Sequence, residues 1–512
     1  MADGKRKVRP NSIVRMALVA VSLVFQIGWL LVRILMLNEY SEIIASITGI
    51  LVVVVVLKLY SKQINVAMKL PWIMLILTFP VMGLSLYLLM EVLGDLGGTG
   101  KRLRAVRKEQ ADMLTQEASV LADMEKKDLS AANQSRYLWK QAGWPVYGNT
   151  AAKYYAEAAD AFEAMKADLE QAERFVFMEY FILENGQAFQ EIREILERKA
   201  KQGVQVRLMY DDIGSIGHTN MAFAKELNGA GIQCVPFNPA VPILNLFMNH
   251  RDHRKITVID GMVGYTGGYN LANEYFGYAH PYGQWKDTGI RLEGEAVRSL
   301  TAAFLELWTV VTNSKEDNRP YLEVCRKLSA RGFVQPFADD PLDEERIAEN
   351  VYLNMISNAK KTVYITTPYL IITDEMSRAL RLAAKRGVDV RIITPGVPDK
   401  KTVYAMTRSY YAGLVSQGVR IFEYSPGFCH AKQCLCDGEI ASIGTSNLDY
   451  RSLYHHFENN VLLYDCDAVE EMAVDFEKLF PQCEEVTEKY CTGRGAVLRV
   501  WQCMLRLFAP LV

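Results

Sequence analysis

The chain opens on three apolar runs. Met16 to Val32 carries no charge over 17 residues, and the pattern continues past Arg33 to Leu37. Ile43 to Leu57 is shorter and nearly all β-branched residues and Leu, and Leu70 to Met90 is 21 residues without a charge. A bilayer core needs about 20 apolar residues as helix, so the first and third runs predict membrane spans. The second predicts one if Lys58 snorkels and Leu59 and Tyr60 are counted. Lys5, Arg6, Lys7 and Arg9 also suit a cleaved leader, but no small-x-small site follows Val32. Residues 1–92 are expected to be an anchor of two to three transmembrane helices, multi-pass in the cell membrane. The basic N-terminus and the Lys58, Lys62, Lys69 loop suit a hairpin of spans one and two with both flanks cytoplasmic. A third full span then places the rest of the chain outside, whereas the cluster Lys101, Arg102, Arg104, Arg107, Lys108 argues for inside.

Residues 93–150 form a polar connector, in which Lys101 to Lys127 predicts helix from its Ala, Leu, Glu, Lys and Arg content. Trp144-Pro145 and Gly148-Asn149 mark the start of a new domain. Phe162, Met165, Leu169 and Ala172 then fall at helical spacing. Phe175 to Ile182 reads as a buried strand, a helix runs on to Lys201, and Val204 to Met209 is the next strand. The order recurs as strand Thr362 to Thr366, helix Asp374 to Lys385 and strand Val388 to Ile393. Ala200-Lys-Gln-Gly-Val-Gln-Val-Arg207 matches Ala384-Lys-Arg-Gly-Val-Asp-Val-Arg391 at six of eight positions. Gly203 and Gly387 suit helix C-caps. Strands alternating with helices predict an α/β fold of helix-flanked sheets, built twice over residues 151–330 and 331–512.

Composition narrows the class. Half of the 512 residues are hydrophobic and the net charge is −2, which excludes a disordered chain. Residues 1–91 hold nine Lys and Arg against four Asp and Glu, out of 57 and 59 in all, so the remainder carries 48 against 55. A catalytic part that is acidic argues against nucleic acid as a partner. Nine scattered cysteines make no disulfide framework and read as reduced thiols.

The repeat also carries the chemistry. Two histidines are followed by Lys at the second position, in His253-Arg-Lys255-x4-Asp260 and His430-Ala-Lys432-x4-Asp437. Gly267 and Gly444 follow seven residues after each Asp, then Asn270 and Asn447 three later, all at a constant offset of 177 residues. Alternation along a strand puts His and Lys on one face. An imidazole beside an ammonium, presented twice, fits a phosphodiester: one His attacks phosphorus, the other protonates the leaving oxygen, and the lysines hold non-bridging oxygens.

At these residues the sequence resembles the phospholipase D superfamily, marked by a pair of such motifs across a pseudo-twofold interface. Asn249-His-Arg-Asp-His-Arg-Lys255, Gly267-Gly268-Tyr-Asn270 and Trp285-Lys-Asp287 are similar to its cardiolipin synthase branch, as is Gly444-Thr-Ser-Asn-Leu-Asp-Tyr-Arg-Ser452 with Glu458. Pro71-Trp72 and Phe79-Pro-Val-Met-Gly83 resemble that branch's second hydrophobic segment. Two departures are that Met16 to Leu57 offers room for one span more than usual, and that Gly-Thr-Ser-Asn replaces the commoner Gly-Ser-x-Asn. The resemblance implies a duplicated phospholipase D-like domain and transfer through a phosphohistidine, with neither metal nor other cofactor. It assigns His253 as nucleophile and His430 as acid then base, although the sequence alone does not break their symmetry. Lys255, Lys432, Asn270 and Asn447 are expected on the phosphate. Each His is oriented by a carboxylate from the opposite half, and spacing nominates Glu458 for His253 and Asp287 for His430. Asp260 and Asp437 are expected to organise the motifs rather than touch substrate.

The implied activity condenses two phosphatidylglycerol molecules into cardiolipin and glycerol, with anionic lipid and membrane as partners. Hydrolysis by water is the alternative. A noncatalytic scaffold is disfavoured because both motifs are complete. Oligomeric state is not legible. Cys429, Cys434 and Cys436 around His430 could be drawn as a zinc cluster, but the matching first motif has no cysteines. His455-His456, lacking a Lys partner, reads as a supporting or surface pair. Leu244 to Met248 suits either a lipid-dipping or a packed loop. Val497 to Val512, with Arg499 and Arg506 amid apolar residues, suits either an interfacial helix or one docked on the domain.

Overall fold

The computed structural model describes residues 42–512 apart from 95–97, 111, 221, 240–249, 324–326, 344, 492–495 and 512, with isolated residues between 21 and 31. The run Met16 to Val32 falls almost wholly outside the described residues, and the loop Leu244 to Met248 lies outside them.

The first half supplies strands β1 (Thr150–Tyr155), β2 (Phe175–Tyr180), β3 (Gln205–Asp211), β4 (Gln233–Phe237), β5 (Arg251–Asp252), β6 (Lys255–Ile259), β7 (Val263–Gly267), β8 (Gln284–Lys286) and β9 (Gly289–Gly294). The second supplies β10 (Phe333–Asp339), β11 (Thr362–Thr366), β12 (Leu370–Ile371), β13 (Asp389–Pro395), β14 (Arg420–Tyr424), β15 (Gly427–Cys429), β16 (Gln433–Cys436), β17 (Ile440–Gly444), β18 (Leu448–Asp449), β19 (His456–Tyr464) and β20 (Cys483–Glu485). One sheet runs β1-β9-β7-β6-β2-β3-β4, and the other β10-β19-β17-β16-β11-β13-β14-β20. The first seven positions correspond in order and in strand direction: antiparallel pairing up to β2 or β11, then parallel pairing across β3-β4 or β13-β14. This is an α/β unit built twice.

Burial explains the patterns. β2 is buried at all six positions and β19 at all nine, because central strands of a sheet covered on both faces have no solvent side. Helices Gln187–Lys201 and Asp374–Lys385 turn Phe189, Ile192, Leu196 and Met376, Leu380, Ala383 inward. Just past these helices Gly203 and Gly387 sit at φ +94° and +92°, the left-handed conformation that lets the chain turn into the following strand. The helix ends at Lys201 and Lys385, and the next strands start at Gln205 and Asp389.

The N-terminal section differs from the expectation. Leu70 to Met90 is not one span but parts of two helices, Val66–Thr78 and Pro80–Gly94. Pro80 interrupts the run, and Gly83 lets the second helix close on the first, where an added Cβ would lie 2.6 Å from Ile76 Cα. The helix Glu42–Ser61 packs on both through Val52, Val55, Leu59, Ile76, Leu84 and Tyr87. Lys58 and Lys62 reach Glu91 at 3.1 and 3.2 Å. Among the described residues no helix is long and apolar enough to cross a membrane. The predicted helix Lys101 to Lys127 is likewise two, Thr99–Gln110 and Ala118–Lys127.

Candidate active site

Two short ladders between the halves build the site. β5 of the first half pairs in parallel with the start of β19, Arg251 opposite His456 and Asp252 opposite Phe457. β15 of the second half pairs in parallel with β8, Phe428 opposite Trp285 and Cys429 opposite Lys286. One residue beyond each ladder stand a motif histidine on one strand and a carboxylate on the other. The His253 amide donates to Phe457 O at 2.9 Å, and the His430 amide to Lys286 O at 2.7 Å. The backbone thereby delivers Glu458 to His253 and Asp287 to His430.

His253 Nδ1 lies 2.9 and 3.0 Å from the two oxygens of Glu458, and His430 Nδ1 lies 2.7 Å from Asp287 Oδ2. Lys432 Nζ lies 2.7 Å from that same His430 nitrogen. An ammonium needs a lone pair there and a carboxylate needs an N–H, so one tautomer cannot serve both. The carboxylate, held by the ladder and accepting from the Thr288 amide at 2.8 Å, keeps the proton on Nδ1 and leaves the lone pair on Nε2.

The Lys255 ammonium donates to His253 O, and the Lys432 ammonium to His430 O. Burial, and then the charge of Lys255, holds His253 well below the ordinary histidine range. Burial and Lys432 push His430 down to about 4. Lys432 also acts on His253, and Lys255 on His430, so the two motifs share one electrostatic site. Burial pushes Lys255 down to about 7 and Lys432 to about 8, and pushes Glu458 up to about 8. Burial is the first cause of each shift, so the site disfavours bare charge of either sign, while Glu458 and Asp287 pull both lysines back toward the charged form.

Asp260 and Asp437 stand outside the cleft at φ +54° and +57°. Their carboxylates accept from the amides of Glu173, Arg174 and Phe175, and of Lys360, Lys361 and Thr362, all at 2.6 to 2.9 Å. Each thus fastens the end of its motif strand to the start of the adjacent central strand. Asn270 is engaged at both ends of its amide: Oδ1 accepts from Ile182 N–H at 3.0 Å and Nδ2 donates to Tyr275 Oη at 2.7 Å. Asn447 Nδ2 donates to Asp449 Oδ2 at 3.1 Å, while its buried Oδ1 has no partner. Gly268 is required beside His430, since a Cβ there would overlap Asp287 Oδ1.

Several contacts at the site escaped the sequence reading. Arg251 grips Asp211 through Nε and Nη2 at 2.8 to 3.0 Å, and Asp211 also accepts from the Asp252 amide at 2.9 Å, fixing the strand that leads into His253. Asn459 Oδ1 accepts from the Lys255 amide at 3.2 Å and its Nδ2 donates to Thr266 Oγ1 at 2.7 Å, another tie across the halves. Phe181 packs edge-on to His253, and Tyr275 and Trp285 flank His430, with ring centroids 4.9 to 5.4 Å away. No spacing rule pairs these residues, whose partners lie 40 to 204 positions away in the chain. His456 is buried 5.5 Å from the His253 ring, with neither ring nitrogen paired, so it lines the site rather than the surface.

Cys434 and Cys436 are buried with their sulfurs 3.9 Å apart, as neighbours on a core strand. Among the described residues, only His253, His456 and Glu458 bring three metal-type donor atoms within 4.8 Å of one another, and two of these already bond each other.

The family model described as "Cardiolipin synthase, PLD-like domain" matches residues 165–308 and 352–480. An uncharacterized protein of Streptococcus mutans is 39% identical over 462 residues, covering 89% of this chain and 99% of the relative. Cardiolipin synthase 2 of Bacillus cereus is 35% identical over 454 residues, covering 86% of each chain. The phosphatidylserine synthase structure from Haemophilus influenzae shares the fold, with a TM-score of 0.52 at 17% identity over 70% of this chain and 93% of that one. The matched segments hold both histidine motifs and both facing carboxylates, and the chain belongs to the cardiolipin synthase family of phospholipase D-like proteins.

Proposed function

We propose that this phosphatidyltransferase condenses two phosphatidylglycerol molecules into cardiolipin and glycerol by double displacement. The observation that carries the reading is the reciprocal pairing of His253 with Glu458 and His430 with Asp287. His253 Nε2, neutral and holding its other proton toward Glu458, attacks phosphorus. His430 gives its Nε2 proton to the departing glycerol oxygen. Phosphohistidine formation leaves positive charge on the His253 ring, which lowers the raised proton affinity of Glu458 and is offset by its carboxylate. The hydroxyl of a second phosphatidylglycerol then loses its proton to His430 and attacks phosphorus, releasing cardiolipin and restoring neutral His253. Lys255 and Lys432 meet the non-bridging oxygens. The phosphodiester's charge raises the proton affinity of His430, which the empty site holds low, so substrate arms the acid.

Membrane attachment belongs to the same proposal, with residues 1–92 as anchor, 93–150 as connector, and 151–330 and 331–512 as the two halves. It is supported by the apolar run Met16 to Val32 and by Ile50, Val53, Val54, Leu57, Leu77 and Phe79, which are exposed on the helices that follow. The folded-back pair Val66–Thr78 and Pro80–Gly94 suits a hairpin that dips into one leaflet and leaves on the same side.

Full-length protein in phosphatidylglycerol vesicles is expected to release cardiolipin and glycerol in equal amounts, and His253→Ala and His430→Ala to release neither. Phosphatidic acid as the main product would replace the synthase reading with hydrolysis.

A further inference from the structure

Among its described side chains, the C-terminal helix Ala496–Leu507 turns one face to the catalytic domain. Leu505 and, just beyond the helix, Ala509 are buried. Arg506 donates to Ser409 and lies over the Tyr410 ring at 4.3 Å, tying the helix to the helix Lys401–Val415. The adjoining face carries Val500, Trp501, Met504 and Phe508, each 51 to 62% exposed and together one stripe at helical spacing. Each alternative for this segment thus holds for one face: docked on one side, bare and apolar on the other.

Its position says what covers the bare face. The turn Ala509–Leu511 packs on the helix Tyr450–Tyr454, and Pro510 hydrogen-bonds His455, the residue before the β19 segment that carries His456 and Glu458. The turn that ends the helix therefore reaches the segment leading into the active site. The anchor meets the domain nearby: Asn65 donates to Glu375 at 2.9 Å, and Ala67 and Met68 pack on the main core. Tyr450 is within electrostatic reach of Tyr410, Asp374 and Glu375, which places the foot of the anchor, the helix Tyr450–Tyr454 and the C-terminal helix on one side of the molecule.

We propose that the C-terminal helix is a second membrane contact, in which Val500, Trp501, Met504 and Phe508 enter the head-group boundary of a phospholipid bilayer and seat the catalytic domain on the surface that holds the substrate. This rests on a lipid substrate. A diacyl phospholipid stays in the bilayer, so a site held by the anchor alone would face the surface at variable height and tilt. A second contact on the catalytic domain fixes both. Trp and Phe beside Met and Val are the side chains that partition to this boundary.

The test uses the full chain reconstituted in vesicles of phosphatidylglycerol with phosphatidylcholine brominated near the head-group end of its acyl chains. Seven Trp are present, so the Trp501 signal is read as the difference from Trp501→Phe. That difference is expected to be quenched by the brominated lipid. Combining Trp501→Ala, Met504→Ala and Phe508→Ala is expected to raise the KM for phosphatidylglycerol in vesicles by about tenfold, the scale of losing one to two kcal/mol of apolar transfer. Turnover of a water-soluble, short-chain phosphatidylglycerol is expected to stay within about twofold. An unquenched Trp501 would overturn the proposal. So would equal losses on both substrates, which would make the helix a folding element. Dissociation of a dimer in the triple variant would assign the stripe to a second copy instead. Failure of the intact protein on the soluble substrate would count against the synthase reading, not against the lipid contact.

Discussion

Lys255 and Lys432 are buried beside the two histidines, and burial pushes their ammonium groups down to about 7 and about 8. An ordinary lysine keeps its charge to a pH of about 10. A depressed lysine loses its proton as pH rises through its own value, and with it the charge that meets the phosphate. The free-enzyme parameter kcat/KM, measured on a soluble phosphatidylglycerol, is therefore expected to fall as pH rises through about 7 to 8. A profile flat to pH 9 would mean that the lysines carry no such burden. His253 and His430 are held neutral by the same burial, so the empty site is nucleophile-ready but lacks its acid until an anionic substrate arrives. At this scale the sequence was most informative where the repeat speaks twice: the constant offset singles out His, Lys, Asp, Gly and Asn together, and the residues after each block nominate Asp287 and Glu458. Arg251 with Asp211 and the Asn459 tie carry no such echo, because their partners come from strands far away in the chain.

Strand ends matter more than strand middles for building the site. Asp260 and Asp437 each hold three backbone amides that open the neighbouring central strand, from a left-handed residue at the end of the motif strand. Removing the carboxylate of Asp260 leaves the buried Phe175 amide without its acceptor and loosens those of the exposed Glu173 and Arg174. Asp260→Ala is expected to cost about 2 to 4 kcal/mol in reversible denaturant unfolding. Asp260→Asn, which keeps an acceptor and tolerates the left-handed backbone, is expected to cost less than half as much. Equal losses would show that the turn does not depend on the acceptor. Periodicity located strand Thr362–Thr366 and helix Asp374–Lys385 to the residue, since each alternation is bounded by turn residues. It failed at Leu70 to Met90, where counting apolar residues passed over Phe79-Pro80 and Gly83, the signals that split the run into a hairpin. Helix propensity likewise passed over the break at residues 112–117, between two helices read as one.

For the whole molecule, the duplication sets the chemistry. Neither half holds a complete site: each supplies a histidine and a lysine, and each takes from the other the carboxylate that orients its histidine. The two crossing ladders make that exchange obligatory, because β5 and β15 find their hydrogen-bond partners in the opposite half. The doubling was legible from the 177-residue offset and the matched strand-helix-strand order. The ladders were not, since two- and three-residue strands leave no periodicity to read.

The central claim is that one histidine carries the phosphatidyl group between donor and acceptor. The most direct measurement is rapid alkaline quenching of the wild-type chain during turnover of phosphatidylglycerol, followed by peptide mass spectrometry. The expected result is a phosphatidyl adduct on the peptide holding His253, formed before cardiolipin accumulates and absent in His253→Ala. Steady cardiolipin formation with no adduct on either His253 or His430 would contradict the double displacement.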